Sequence, residues 1–405
     1  MSHEPPFPRR APGRALAFLS LGAVLALSSC GKSEHTPARS DDQAPADPIV
    51  AAEPSPVRSD DQAPADQIAA AEPAPVLRVS LADPGTPFLR GVSLAGAEFG
   101  FDKYGIGIYR SDYVYPTDEY VRRYRSPQYF RGKGMNVFRL PFRWERLQPV
   151  RNAPFDAAEW QRLRNTVDRL TGLGAAVILD PHNFARYDGK IIGSSALPNA
   201  DFVDLWRRLA EAYKDSPNVI FGLMTEPHDM PTMQWVEAAQ AAIDAIRTVG
   251  AGNLILVPGN DWSAAYTWSR RLSGPSNAVA LLEIRDPIGN TAFEAHQYLD
   301  KDNSGRHSRC VSADIGVQRL QPFTAWLKKH GKKGFLGEFG GSDSATCLAA
   351  LARMLDHMDA NAEHYIGWTY WAAGPWWGDY FMSIEPVGAR DAPQMEVLSR
   401  HLNSH

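Results

Sequence analysis

Apolar and polar positions along the chain fall into two alternating kinds of segment. Short, nearly continuous apolar runs occur at FLRGVSL (from Phe88), NVFRLPF (from Asn136), AAVILDPH (from Ala175), VIFGLMTEP (from Val219), NLILVPGN (from Asn253), AFEAHQYLD (from Ala292), GFLGEFG (from Gly334) and YIGWTYWAAG (from Tyr365). Runs of this length, apolar on both faces, read as strands of a buried parallel sheet. Between most of them lie segments of helical period: Ala157 to Leu173, Phe202 to Tyr213, Met233 to Thr248, Phe323 to His330 and Ala345 to Asp359. Eight strands alternating with helices predict an α/β fold of the (β/α)8 TIM-barrel type, with an open doubly wound sheet as the alternative. The stretch from Trp268 to Asn290 gives no clear pattern.

The N-terminal quarter reads differently. A basic start (Arg9, Arg10, Arg14) precedes an apolar run from Ala15 to Leu27 and then Ser28-Ser29-Cys30. Thirteen apolar residues rise only about 20 Å as a helix, short of a hydrocarbon core of about 30 Å, so the run reads as an export signal and not a span. Leu27-Ser28-Ser29-Cys30 resembles the bacterial lipobox, which implies cleavage after residue 29 and a lipid on Cys30. Gly31 in the next position favours an outer-membrane lipoprotein, or a form released outside the cell after cleavage of the linker. Residues 30–78 carry no aromatic residue and repeat themselves: SDDQAPADPIVAAEPSPVR from Ser40 is followed by SDDQAPADQIAAAEPAPVL from Ser59. Such a Pro- and Ala-rich stretch cannot bury a core, and two polar copies are too few for a solenoid, so a disordered spacer is expected, with an end-to-end reach of roughly 40 Å. The domains expected are therefore a signal at 1–29, the lipidated cysteine and linker at 30–78, and a catalytic domain at 79–405.

Charge narrows the partners. The 42 Lys+Arg nearly balance 46 Asp+Glu, which excludes nucleic-acid binding by bulk electrostatics. Only three cysteines occur, which excludes a disulfide-dense scaffold. With Cys30 lipidated, Cys310 and Cys347 remain as an even pair in an oxidising compartment. Both follow the ends of strands that would be barrel neighbours, and a disulfide between them is expected.

The polar residues in the apolar runs cluster at their C-terminal ends: Arg139, His182, Glu226, His296, Glu338 and Trp371. In a barrel those ends surround one site. Glu226 and Glu338 would face each other there, and a facing carboxyl pair is the minimum equipment for cleaving a glycosidic bond. The carboxylate nearer Arg139 stays ionised while its partner keeps its proton longer, which separates nucleophile from acid. His228 with His182 or His296 suggests a metal at first sight, but no His-x-x-x-His pair supports one, and neither metal nor cofactor is expected.

These motifs carry a resemblance. GMNVFRLPF, DPHN, Glu226-Pro227-His228, HQYLD, GEFG and WTYWAAGPWWGDY, in that order, resemble family 5 of the glycoside hydrolases and within it the endo-β-1,4-glucanases. The resemblance implies a retaining hydrolase of internal β-1,4-glucosidic bonds, with Glu226 as acid/base and Glu338 as nucleophile. It also implies that Arg139 and Tyr298 hold the nucleophile, that His182 and His296 contact the sugar and tune the acid, and that Trp371 is the platform under the sugar at the cleavage position. Trp262, Trp376 and Trp377 read either as outer sugar platforms or as packing. One residue departs from the pattern: the family writes Asn-Glu-Pro, this chain Thr225-Glu226-Pro227, and the family asparagine holds the sugar 2-hydroxyl. Thr225 thus leaves open mannan or xyloglucan as the substrate, and a weakly active or inactive carbohydrate-binding lipoprotein as a different class. The expected partners are a β-glucan and, through the N-terminal lipid alone, a membrane; a monomer is expected.

Overall fold

The computed structural model describes residues 77–99, 126–374, 377–388 and 390–402. The expected signal, Cys30, the expected linker up to residue 76 and Trp376 lie outside the described residues. Among those described, no helix is long and apolar enough to cross a membrane.

Eight parallel strands close into a barrel: β1 (Leu89–Leu94), β2 (Val137–Phe142), β3 (Ala176–Pro181), β4 (Val219–Gly222), β5 (Ile255–Pro258), β6 (Thr291–Tyr298), β7 (Gly334–Gly340) and β8 (Tyr365–Ala373). Their neighbours follow chain order, with β8 pairing back to β1. All eight apolar runs of the sequence are these strands, and the closed ring excludes the open sheet. Among the described residues, the helices longer than a single turn are α1 (Ser126–Gly132), α2 (Ala157–Gly172), α3 (Asn199–Tyr213), α4 (Thr232–Thr248), α5 (Ile315–His330), α6 (Ala345–Asp359) and α7 (Pro393–Arg400).

Local chemistry sets the helix ends. The Asp156 carboxylate accepts from the amides of Ala158 and Glu159 at the start of α2, and Ser344 accepts from the amide of Cys347 at the start of α6. Gly331, at φ 58°, takes the left-handed position that closes α5. Leu163, Val167 and Leu170 form the buried stripe of α2, and truncating any of them to alanine costs about 2–5 kcal/mol. Two elements differ from the sequence reading. Helix α5 begins at Ile315, eight residues before Phe323, because Pro322 reads as a boundary yet lies inside the helix. The segment from Trp268 to Asn290 contains only the single turns Asn277–Ala280 and Leu281–Glu283.

Strand alternation decides what faces the lumen. Leu89, Val137, Ile178, Ile220, Leu256, Ala292 and Phe335 fill the N-terminal end of the barrel, while Phe138, Leu140, Val177, Leu179 and Leu336 pack outward toward the helices. Two residues further along each strand, the inward positions become Arg139 on β2, Asp180 on β3 and Glu294 on β6, followed by His296. The apolar floor therefore gives way to a charged layer directly beneath the mouth.

A bulge completes it. Ala295 pairs with Leu336 but His296 pairs with Glu338, so Gly337 is skipped. A Cβ at Gly337 would lie 1.9 Å from Glu294 Oε1; only glycine lets the Glu294 carboxylate pass. The skipped residue turns Glu338 inward at the mouth, where an unbroken strand would point it out.

Candidate active site

Glu226 follows β4 in the left-handed region, at φ 44°, a conformation costing of order 1–3 kcal/mol for a residue with a side chain. Glu338 stands at the end of β7. One carboxyl oxygen of each and a ring nitrogen of His296 all lie within 4.8 Å of one another, so the topology brings together two residues 112 apart in sequence.

Their surroundings differ. Arg139 is fully enclosed; it donates to Glu338 Oε1 from Nη1 (2.7 Å) and to Thr225 Oγ1 from Nη2 (2.7 Å). The Tyr298 hydroxyl donates to Glu338 Oε2 at 2.7 Å. Burial alone would raise the Glu338 pKa, but the charges of His296 and Arg139 and the Tyr298 hydrogen bond hold it below the usual carboxylate value. Burial raises Glu226, and the negative charge of Glu338 adds to that rise against the opposing His296 hydrogen bond. Two identical side chains are thereby pushed in opposite directions.

His296 mediates between them. Its Nδ1 lies 2.8 Å from Glu226 Oε1 and its Nε2 3.1 Å from Glu294 Oε1. Burial would lower its pKa, but Glu338, Glu226 and Glu294 together push it up to about 10. Both ring nitrogens thus carry protons at neutral pH and donate to carboxylates. Glu226, His296 and Glu338 are also one of the acidic and histidine groups whose spacing would suit a metal ion. Asp300, Asp302 and His307, in the loop after β6, form the other acidic and histidine group of such spacing among the described residues.

Thr225 is fully buried. Its hydroxyl donates to Asp180 Oδ1 (2.6 Å) while accepting from Arg139, so its single proton is committed below the mouth. Sequence reasoning places this residue toward the sugar; the structure ties it instead to the charged layer. His182 Nδ1 lies 2.9 Å from Asp180 Oδ2, and the His182 ring stacks on Trp371 at 5.3 Å. Burial would raise Asp180, but the Arg139 charge and the His182 and Thr225 hydrogen bonds lower it.

Trp371 is 9% exposed, with its peptide to Ala372 cis. Trp377 packs edge-on against it at 5.7 Å and stacks on Tyr380 at 4.5 Å, a half-buried buttress. Trp262 is different, at 46% exposed, and backed by His228 stacked at 4.6 Å. It belongs to three consecutive left-handed residues, Asp261 to Ser263, and its amide donates to Pro227 O, next to Glu226.

The structure thus gathers Arg139, His182, Thr225, Glu226, His296, Tyr298, Glu338 and Trp371 at one mouth, with Trp262 on its rim. Asp180 and Glu294 escaped the sequence reading. Each precedes a site histidine by two residues on a strand, hence shares its face, and that spacing was a usable signal. Cys310 and Cys347 form the expected disulfide, with Cα atoms 5.3 Å apart.

The chain is similar to known proteins over most of its length. Endo-beta-1,4-glucanase B of Emericella nidulans is 39% identical over 315 residues, covering 77% of this chain and 91% of its own. An endo-beta-1,4-glucanase of Xanthomonas axonopodis pv. citri is 47% identical in its crystal structure, covering 78% of this chain and 98% of its own with a TM-score of 0.73. XacCel5A, solved in complex with cellopentaose, is 45% identical, with 78% and 99% covered and a TM-score of 0.73. The family model for cellulase, glycosyl hydrolase family 5, matches residues 117–374, and the chain belongs to that family.

Proposed function

We propose that the protein is an endo-β-1,4-glucanase that cleaves with retention of configuration. The observation that carries this reading is the carboxyl pair: oxygens of Glu226 and Glu338 within 4.8 Å, one pKa raised and the other lowered. Oxygens that close belong with the narrow carboxyl pairs, about 5–5.5 Å apart, of enzymes that attack directly and retain configuration. Glu338, ionised, attacks the anomeric carbon as Glu226 gives its proton to the departing glycosidic oxygen. The glycosyl-enzyme ester is then opened by a water that Glu226 deprotonates, which returns both groups to their starting states. His296, held as a cation, keeps the Glu226 carboxyl oriented. Arg139 and Tyr298 hold Glu338 for in-line approach and stabilise its charge until attack.

Trp371, stacked on His182, forms the platform for the sugar at the cleavage position, and exposed Trp262 lies on the leaving-group side beside Glu226. Both faces are apolar surfaces on which a sugar ring can lie. Proton NMR of the first products from a soluble β-1,4-glucan tests the mechanism: the β-anomer must appear first. A viscosity fall that outpaces new reducing ends tests internal cutting.

The basic start, apolar run and Leu27-Ser28-Ser29-Cys30 support export and a lipid on Cys30, with residues 31–78 as a spacer. Mass spectrometry of the mature N-terminus tests that reading; an unmodified Cys30 would reject it. Light scattering checks whether the protein is a monomer.

A further inference from the structure

Tyr298 is the last residue of β6, and its hydroxyl donates to Glu338 Oε2 at 2.7 Å, so the pose of its ring decides where that oxygen is held. Burial and the Glu338 charge raise its pKa well above the ordinary value, which keeps the phenol a donor at neutral pH. Its backbone is fixed on both sides. Arg319 of α5 donates from Nη1 to Tyr298 O at 2.7 Å, and the Tyr298 amide donates to Asn303 Oδ1 at 3.1 Å. What remains free is the rotation of the side chain about its own two torsions.

The turn that follows the strand comes back onto that ring. Asp300, 2% exposed, accepts from the Gly305 amide at Oδ1 (3.1 Å) and from the Ser304 hydroxyl (3.1 Å) and His307 amide (3.2 Å) at Oδ2. Asn303 and Gly305, at φ 65° and 69°, make the reversal. Lys301, Asp302, Ser304, Arg306 and His307 are exposed, yet Gly305 between them is buried. The reason is Tyr298: a Cβ at Gly305 would lie 2.8 Å from its Cδ1 and 2.9 Å from its Cε1. Carbon atoms rest at about 3.5–4.0 Å, so only glycine lets the backbone close on the ring. The ring shares a buried apolar cluster with Trp371, Ala372 and Met382, which leaves it little room to yield. The far end of the turn is fixed as well, since the Val311 amide donates to Leu299 O at 3.0 Å and Cys310 is bonded to Cys347 of α6. A surface turn needs neither a buried carboxylate nor a glycine without space for a methyl group.

We propose that Asp300 and Gly305 are positioning residues for hydrolysis: the turn closed by Asp300 seats the Gly305 backbone on the Tyr298 ring and so keeps the Tyr298 hydroxyl on Glu338 as it attacks. The inference rests on the reading of Glu338 as the nucleophile. Neither residue is a sugar contact, and their whole effect passes through one hydroxyl. A ring displaced by about 0.7 Å, the distance a methyl at Gly305 needs, misdirects the attacking oxygen without altering the surfaces that grip the polymer. Turnover therefore suffers and KM does not, and nothing further is lost once that hydroxyl is absent.

The test is a double-mutant cycle of Gly305→Ala with Tyr298→Phe, read as kcat and KM on carboxymethylcellulose. Each single change is expected to lower kcat roughly ten- to a hundredfold, the worth of a hydrogen bond to a charged group, with KM within about twofold of the parent. Gly305→Ala added to Tyr298→Phe is expected to cost no more than about twofold beyond Tyr298→Phe alone. Asp300→Ala should lower kcat in the same way, and Asp300→Asn should recover part of that loss because its carbonyl still accepts from Gly305. Turnover within about twofold of the parent in Gly305→Ala overturns the proposal, and so does an equal loss in the presence and absence of the Tyr298 hydroxyl, the mark of a merely structural role. If Gly305→Ala does not melt cooperatively, Asp300→Ala takes its place in the cycle and the same two results overturn the proposal. A parent protein that fails to cleave β-glucan would instead reject the function itself, and this inference with it.

Discussion

Replacing Thr225 by asparagine tests the one residue that departs from the family pattern. The Thr225 proton goes to Asp180, and one of its lone pairs accepts from Arg139, so nothing is left to donate toward a sugar. An asparagine carbonyl can accept from Arg139 in its place, while the amide nitrogen reaches one bond further toward the mouth. A hydrogen bond to the 2-hydroxyl as charge develops is worth about 1.5–3 kcal/mol, or roughly ten- to a hundredfold in rate. The enclosed site resists the larger side chain, a stability penalty of about 1–3 kcal/mol. Thr225→Asn should therefore raise kcat on β-1,4-glucan about ten- to a hundredfold with little change in KM, because the contact belongs to the transition state. If threonine instead accommodates the axial 2-hydroxyl of mannose, the wild type prefers mannan, and Thr225→Asn shifts the preference to glucan without raising the best rate. Initial rates of both proteins on both polymers separate the accounts. Turnover unchanged within twofold on each substrate, in a variant that still melts cooperatively, would refute the reasoning.

Glu338→Gln should abolish turnover yet leave cellotriose binding measurable by calorimetry; near-normal turnover would remove it as nucleophile. The pH profile of kcat/KM should be a bell, with the acid limb below the ordinary carboxylate value because Glu338 is lowered and the alkaline limb above it because Glu226 is raised. On an aryl cellobioside with a good leaving group, Glu226→Gln should erase the alkaline limb. His296, raised to about 10, contributes stability that is complete below its unfolded value of about 6.5 and lost as pH climbs through 10. Melting temperature should fall across that window, and less steeply in His296→Gln. Cys310→Ser with Cys347→Ser opens a link 37 residues apart in sequence, a loss of at most about 4 kcal/mol and roughly 5 °C in melting temperature.

Strand runs were legible because both faces of a barrel strand are buried, so period and polarity mark them without help from the rest of the chain. The same burial made the polar residues at their ends conspicuous, and Arg139, His182, Glu226, His296 and Glu338 followed. What stayed hidden needed three dimensions. Pro322 reads as a break, yet α5 continues through it, packed by Leu320, Phe323 and Leu327 on its buried face. Thr225 reads as a shortened sugar contact, yet Asp180 and Arg139, 45 and 86 residues away, claim its hydroxyl. Nor does any local pattern reveal that Gly337 is skipped in register, on which the direction of Glu338 depends.

The charged layer under the mouth has a consequence for engineering. Arg139, Asp180, Glu294, His296, Tyr298 and Glu338, which under the proposed mechanism decide which carboxyl is acid and which is nucleophile, are all borne by strands β2, β3, β6 and β7. The loops above, other than the turn at residues 299–307, can then be lengthened, shortened or grafted from relatives to change which polymer is gripped, while proton ownership stays with the staves of the barrel. The exception is Glu226, carried on irregular backbone after β4 in a left-handed conformation. Chimeras whose exchanges spare residues 223–228 should inherit the acid limb and the alkaline limb together, and exchanges through that segment should move the alkaline limb alone.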